Sequence, residues 1–105
     1  MENLLLVYLT YPTEKEAVAA AKLLLAKHLI ACGNIHSSRS IYRWKGKLVD
    51  GEEFVLVAKT VAKNFNSLKK EAEKVHPYSL PCIIAIPAEG SKTYTAWVKR
   101  VARNQ

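Results

Sequence analysis

Three short, unbroken apolar runs constrain this chain more than any other feature: Leu4–Leu9, Phe54–Ala58 and Cys82–Ile86. Each has strand length, and Thr10 with Pro12 bounds the first while Pro87 stops the third. Such runs read as buried strands rather than helices. Successive side chains of a strand point to opposite sides of its sheet, so strands apolar at both parities need cover on both faces. A single layer of helices covers one face only. The other must be hidden by something else.

Helical patterns lie between these runs. Thr13 opens the first helix, and Glu16 stands three residues on to return a hydrogen bond to the Thr13 amide as a capping box. Ala17, Ala20, Ala21, Leu24 and Leu25 then form one apolar stripe, and the helix is expected to run to about Leu29. Ile30–Trp44 has no helical stripe and reads as a long, rather polar strand; Gly46 and Asp50-Gly51 are turn signals that place a hairpin before Phe54. From about Ala62, the residues Phe65, Leu68, Ala72 and Val75 mark a second amphipathic helix, which Pro77 ends. Ser91 caps a last helix, with Tyr94, Trp97, Val98 and Val101 along one side.

The order is strand, helix, strand, strand, helix, strand, then one more helix. Two right-handed crossovers around a central hairpin make an α+β, ferredoxin-like βαββαβ sandwich with an extra C-terminal helix, a single domain over residues 1–105. The last helix hides part of the second sheet face, and the remaining apolar surplus points to self-association.

Half of the 105 residues are hydrophobic, which excludes a disordered chain. The net charge is +7, from 16 basic and 9 acidic residues. Those charges are scattered; even Lys69-Lys70 is followed by Glu71 and Glu73, so the charge reads as solvated surface with a mild positive field. Cys32 and Cys82 are too far apart in sequence for a cysteine-pair zinc site and read as buried, reduced thiols. Met1-Glu2-Asn3 carries an acid where a secretory leader needs positive charge, and Leu4–Leu9 is too short to span a membrane. A cytoplasmic location, with no membrane partner, is expected.

Three segments then carry a resemblance: Ala31-Cys32-Gly33-Asn34-Ile35, Tyr42-x-Trp44-x-Gly46-Lys47 and His76-Pro77-Tyr78-x-x-Pro81. With Thr10-x-Pro12, Lys59-Thr60 and Tyr94-x-x-Trp97 in order around them, the chain resembles the CutA family, named for divalent-cation tolerance, nearly end to end. The resemblance implies a tight homotrimer in which the long second strand and its hairpin reach a neighbouring subunit. It also implies a non-enzymatic role in handling divalent metals, copper or zinc. The copper site proposed for some members joins a first-strand cysteine to two adjacent histidines; here those positions hold Leu9 and Val75, and His76 alone remains.

His76 is accordingly the candidate metal ligand, with Glu73 one helical turn back on the same face. The competing role for His76 is to cap the helix carbonyls. His28 and His36 have no ligand-spaced partner and read as surface or helix-end residues. Tyr42, Trp44, Tyr78 and Trp97 are expected to pack a trimer interface or to line a cleft between subunits. Asp50, Glu52 and Glu53 read as a small acidic turn, open to unspecific divalent cations.

No nucleophile–base pairing or Gly-x-Ser-x-Gly motif supports catalysis. An RNA recognition motif shares the element order but needs a basic, aromatic-rich third strand; Asp50-Gly51-Glu52-Glu53-Phe54 is acidic there, which argues against nucleic acid. The PII-like trimers, which bind small molecules between subunits, supply the alternative reading: a trimeric sensor.

Overall fold

The computed structural model describes residues 2–103; Met1 and residues 104–105, the ends of the expected domain, lie outside the described residues. The elements are β1 (Glu2–Tyr11), α1 (Glu14–Ala26), β2 (Cys32–Trp44), β3 (Lys47–Thr60), a 3-10 turn (Ala62–Asn64), α2 (Phe65–Val75), β4 (Ile83–Gly90) and α3 (Lys92–Val101). The strands form one sheet in the order β2-β3-β1-β4, antiparallel throughout. This is the expected split arrangement, with β1 at the centre and β3 beside it.

α1 and α2 cover one sheet face. Leu5, Val7, Leu9 and Tyr11 of β1 and Leu56 and Ala58 of β3 pack there against Ala17, Ala20, Leu24 and Leu68. Each fully buried leucine contributes about 1.5–3 kcal/mol relative to exposure. On the opposite face α3 covers one end only, packing Val98 and Ala102 with Ala31, Val61, Leu4 and Trp97. The apolar strands are thus dry on one side and partly open on the other, where Ile84 and Ile86 of β4 stay exposed.

Several boundaries differ from the sequence reading, each for a local reason. α1 stops at Ala26 rather than near Leu29, because His28 turns left-handed with φ 56°. The His28 amide donates to the Leu25 carbonyl and the Leu29 amide to the Leu24 carbonyl, the paired bonds of a Schellman end. Leu29 and Leu24 are both buried beside it. At the start of α1, Thr13 accepts from the Glu16 amide as expected, but Glu16 takes its return bond from the Thr13 hydroxyl, not from the amide. β2 begins at Cys32, not Ile30, since Leu29, Ile30 and Ala31 are buried in the connection.

The hairpin turns at Lys45-Gly46, both at positive φ (51° and 76°), so two residues join Trp44 to Lys47. Asp50-Gly51 is no turn: β3 runs straight through it, with Asp50 opposite Ile41 and Gly51 opposite Ser40. Asp50 instead receives a bidentate pair of bonds from Arg39, at 2.9 and 2.7 Å. The expected acidic turn is therefore strand, and alternation sends Glu52 and Glu53 to opposite faces. Pro87 does not stop β4 either; it pairs with Leu5 on an edge strand, where a missing amide is tolerated. Cys32 and Cys82 are free thiols, half-buried rather than buried.

β2 and β3 outrun the rest of the sheet. β1 ends at Tyr11 opposite Phe54, so Ser38–Trp44 and Lys47–Glu53 continue as a two-stranded ribbon. The molecule is elongated accordingly, 45 × 26 × 21 Å. Ile41 and Leu48, on one face of the ribbon, are 59% and 69% exposed, while Tyr42 and Trp44 stand exposed on the other.

Candidate functional site

His76 stands where three elements meet. It is the C-cap of α2, with extended backbone (φ −74°, ψ 133°), because Pro77 disfavours helical geometry in the residue before it. The ring therefore leaves the helical path and reaches β1. Tyr78 donates its backbone N–H to Nδ1 at 3.1 Å. That bond leaves the ring proton on Nε2, which donates to the Thr10 carbonyl at 2.9 Å. The imidazole is neutral and uses both nitrogens. Tyr11 stacks on it, with ring centroids 4.4 Å apart and planes within 21°, and the Tyr78 ring lies tilted at 5.1 Å.

Electrostatics agree with this arrangement. Burial pulls the His76 pKa below the ordinary histidine value, against the opposing pull of the Thr10 carbonyl and the charges of Glu16 and Glu53. Tyr78 donates its hydroxyl to Glu53 at 2.7 Å. Burial first, and that carboxylate second, push the Tyr78 phenol far above its usual value. Burial also raises the Cys82 thiol, with Glu53 adding to the effect and a bond with Thr10 opposing it. A thiol held protonated is a poor metal ligand.

His76 does not cap the α2 carbonyls; its ring turns to β1. Glu73, three residues earlier, is exposed on the last turn of α2, while His76 as the C-cap has left the helical path. The carboxylates whose charge reaches the imidazole are Glu16 and Glu53. Among the described residues no three histidine, cysteine, aspartate or glutamate side chains gather closely enough to hold a metal ion. Leu9 is sealed in the core, and Val75 is 54% exposed at the helix end. The described side chains of one chain do not fit a resident metal.

The four aromatic candidates divide. Tyr78 belongs to the His76 cluster, and Tyr42 on the ribbon lies within electrostatic reach of it. Trp44 sits at the ribbon tip with the Lys45 ammonium 5.9 Å from its ring centre. Trp97 is at the far end of the sheet, half-buried on α3 and tilted against Tyr94 at 5.5 Å. Sequence reasoning missed Tyr11, Glu16 and Glu53 as members of the cluster. The Thr10-x-Pro12 segment pointed to the right strand end, but only the fold brings it to His76.

The chain matches the family described as CutA1 divalent ion tolerance protein over residues 5–101. The divalent-cation tolerance protein CutA of Thermus thermophilus is 41% identical over 101 residues, spanning 94% of this chain and 96% of that protein. The solved structure of the periplasmic divalent cation tolerance protein CutA from Archaeoglobus fulgidus superposes with a TM-score of 0.93 at 36% identity, covering 95% of this chain and 99% of that one. The PII-like protein CutA from Nostoc sp. PCC 7120 gives a TM-score of 0.90 at 27% identity, with 96% and 99% covered. With family, relatives and fold in agreement over nearly the whole chain, this protein belongs to the CutA family of divalent-cation tolerance proteins.

Proposed function

We propose that the protein serves divalent-cation tolerance as a non-enzymatic, cytoplasmic homotrimer of one domain, residues 1–105, with copper or zinc as its cargo. The observation that carries this reading is the ribbon. Two strands alone are marginal in water, yet this pair extends past its sheet with Ile41, Tyr42, Trp44 and Leu48 exposed. Packing against other copies supplies the missing cover, together with the exposed Ile84 and Ile86. Among the described residues no helix is long and apolar enough to cross a membrane. Light scattering on the eluting protein is expected to give three times the chain mass from low micromolar concentration upward; a monomer mass there overturns the reading.

Metal enters as a guest, not as a resident. His76, with Glu73 as a weaker contributor, is the proposed contact, and Nδ1 must exchange the Tyr78 N–H for the ion. Binding of that kind is weak and readily reversible. Copper or zinc calorimetry on the unchanged protein and on His76→Ala separates this part from the assembly: heat that is the same in both removes His76 from the role. The second reading, a PII-like trimeric sensor of small molecules, draws on the likeness to the Nostoc PII-like protein. A metabolite that raises the melting temperature in proportion to its concentration, without metal, is its signature.

A further inference from the structure

Where β3 ends, opposite the ribbon tip, the 3-10 turn and α3 flank an open groove of about 700 Å³. Val61 and Ala96 make its apolar part, and Lys63, Lys99, Arg100 and Arg103 line the rest. Ala96, Lys99 and Arg100 share one exposed helix face at three- and four-residue spacing, and Arg103 follows the C-cap. Lys63 is distant in sequence and arrives with the turn. Among the described residues no acidic side chain lines the groove. Residues 91–103 hold Lys92, Lys99, Arg100 and Arg103 and no acid, so more than half of the net +7 charge is concentrated in this one segment.

Basic side chains in a last helical turn commonly offset the negative end of the helix dipole. This cluster exceeds that need. The Ala102 carbonyl at the helix end already accepts from the Asn64 amide at 2.8 Å, and Lys63 stands on another element. Asn64 is 3% exposed and also donates to the Thr60 hydroxyl at 3.2 Å, so one buried side chain ties the turn to the end of α3. The groove walls are thereby set in advance, which removes an ordering cost from binding.

The chemistry of these groups specifies what fits. Like charges gathered around one hollow repel, and a ligand with several adjacent negative charges turns that repulsion into attraction. Two guanidinium forks suit phosphate oxygens, and the lysines add point charges. The volume lies within the roughly 300–1,000 Å³ of small-molecule sites, more than one phosphate fills. Lys99 and Arg103 lie about one helical turn apart, about 5–6 Å along the axis, so a linear anion reaches cations that a single phosphate does not. We propose that this groove binds a condensed phosphate chain of about three phosphate groups, held by Lys63, Lys99, Arg100 and Arg103. The site needs no metal and lies within one chain, at the opposite end of β3 from the ribbon tip.

Tripolyphosphate is the probe, titrated into the full chain in metal-free buffer at pH 7 and about 50 mM salt and followed by calorimetry. One chain is expected to bind one tripolyphosphate with a dissociation constant on the order of 10 µM, and orthophosphate about 100-fold more weakly. Arg100→Ala with Arg103→Ala is expected to weaken tripolyphosphate at least tenfold. Lys69→Ala with Lys70→Ala removes the same charge from exposed positions on α2 and is expected to change the affinity less than about twofold. Ala96→Glu, at an exposed helix position, puts a carboxylate in the groove and is expected to abolish binding with unchanged circular dichroism. Adenosine triphosphate, titrated in parallel, separates the two sources of such a chain. Affinity at least equal to that of tripolyphosphate assigns the groove to a nucleotide's phosphates, and affinity about tenfold lower assigns it to free condensed phosphate. Absence of saturation at about 1 mM, orthophosphate bound as tightly as tripolyphosphate, or equal weakening in the two double variants each overturns the proposal.

Discussion

His76 is held by a bond to each ring nitrogen and by a stacked tyrosine, and a second proton undoes one of the three. Protonated Nδ1 faces the Tyr78 N–H donor to donor, and the ring is half-buried. Burial lowers the folded-state pKa beneath the roughly 6.5 of an unfolded chain, so the unfolded state binds the proton first as pH falls. The stability associated with His76 is full above about pH 6.5 and is lost as pH drops through the folded value. At fixed protein concentration, the urea midpoint is expected to fall between about pH 7.5 and 5.5, and to fall less in His76→Gln. Equal slopes in both proteins would assign the effect to other groups. At this scale the sequence was legible where chemistry is local: Thr13 and Ser91 cap their helices as expected. His28 is the exposed helix-end residue expected, but its left-handed turn was illegible, because such an end ordinarily carries glycine, and here the burial of Leu29 against Leu24 holds a histidine there instead.

Asn64 does for the elements what His76 does for one strand end. It is 3% exposed, and its amide nitrogen donates to the Ala102 carbonyl at 2.8 Å, the Thr60 hydroxyl at 3.2 Å and the Leu29 carbonyl at 3.3 Å. Thr60 donates to the same Leu29 carbonyl at 2.6 Å. The end of β3, the connection after α1 and the end of α3 are thereby joined through one side chain. Asn64→Leu strips buried carbonyls of their donor and is expected to cost about 2–4 kcal/mol in chemical denaturation, with amide exchange in α3 accelerating first. Loss below about 0.5 kcal/mol would mean that water replaces the amide. Nothing in a single Asn ahead of an apolar stripe announces this role, since its partners lie 4 to 38 residues away. Elements themselves were legible in number, type and order, because periodicity is local. Their ends were not. Asp-Gly is a strong hairpin signal, but Lys45-Gly46 supplied the two left-handed residues a tight turn needs, and Arg39 gave Asp50 a partner inside the strand.

On the scale of the molecule, the apolar surplus read from the three strands reappears as the open part of one sheet face and the ribbon beyond it. Ile41 and Leu48 are neighbours on one ribbon face, so Ile41→Asp with Leu48→Asp places two carboxylates in any contact that covers them. The double variant is expected to elute at the mass of one chain and to keep its helical circular dichroism, since α1 and α2 pack on a core the ribbon does not enter. An assembly mass unchanged by both carboxylates would show that this ribbon face stays in water. If the proposed trimer forms, the ribbon also bears on the interval between synthesis and docking. A newly made chain displays bare strand edges with greasy side chains, a template that any other unfolded strand can join. Arg43, Lys45 and Lys47 stud that same stretch, and every copy carries a net charge of +7. Like charge slows the haphazard meeting of two such chains, while a partner that docks in register gains enough buried area to outweigh it. In that proposed assembly the lysines and arginines would act as gatekeepers of an adhesive tip.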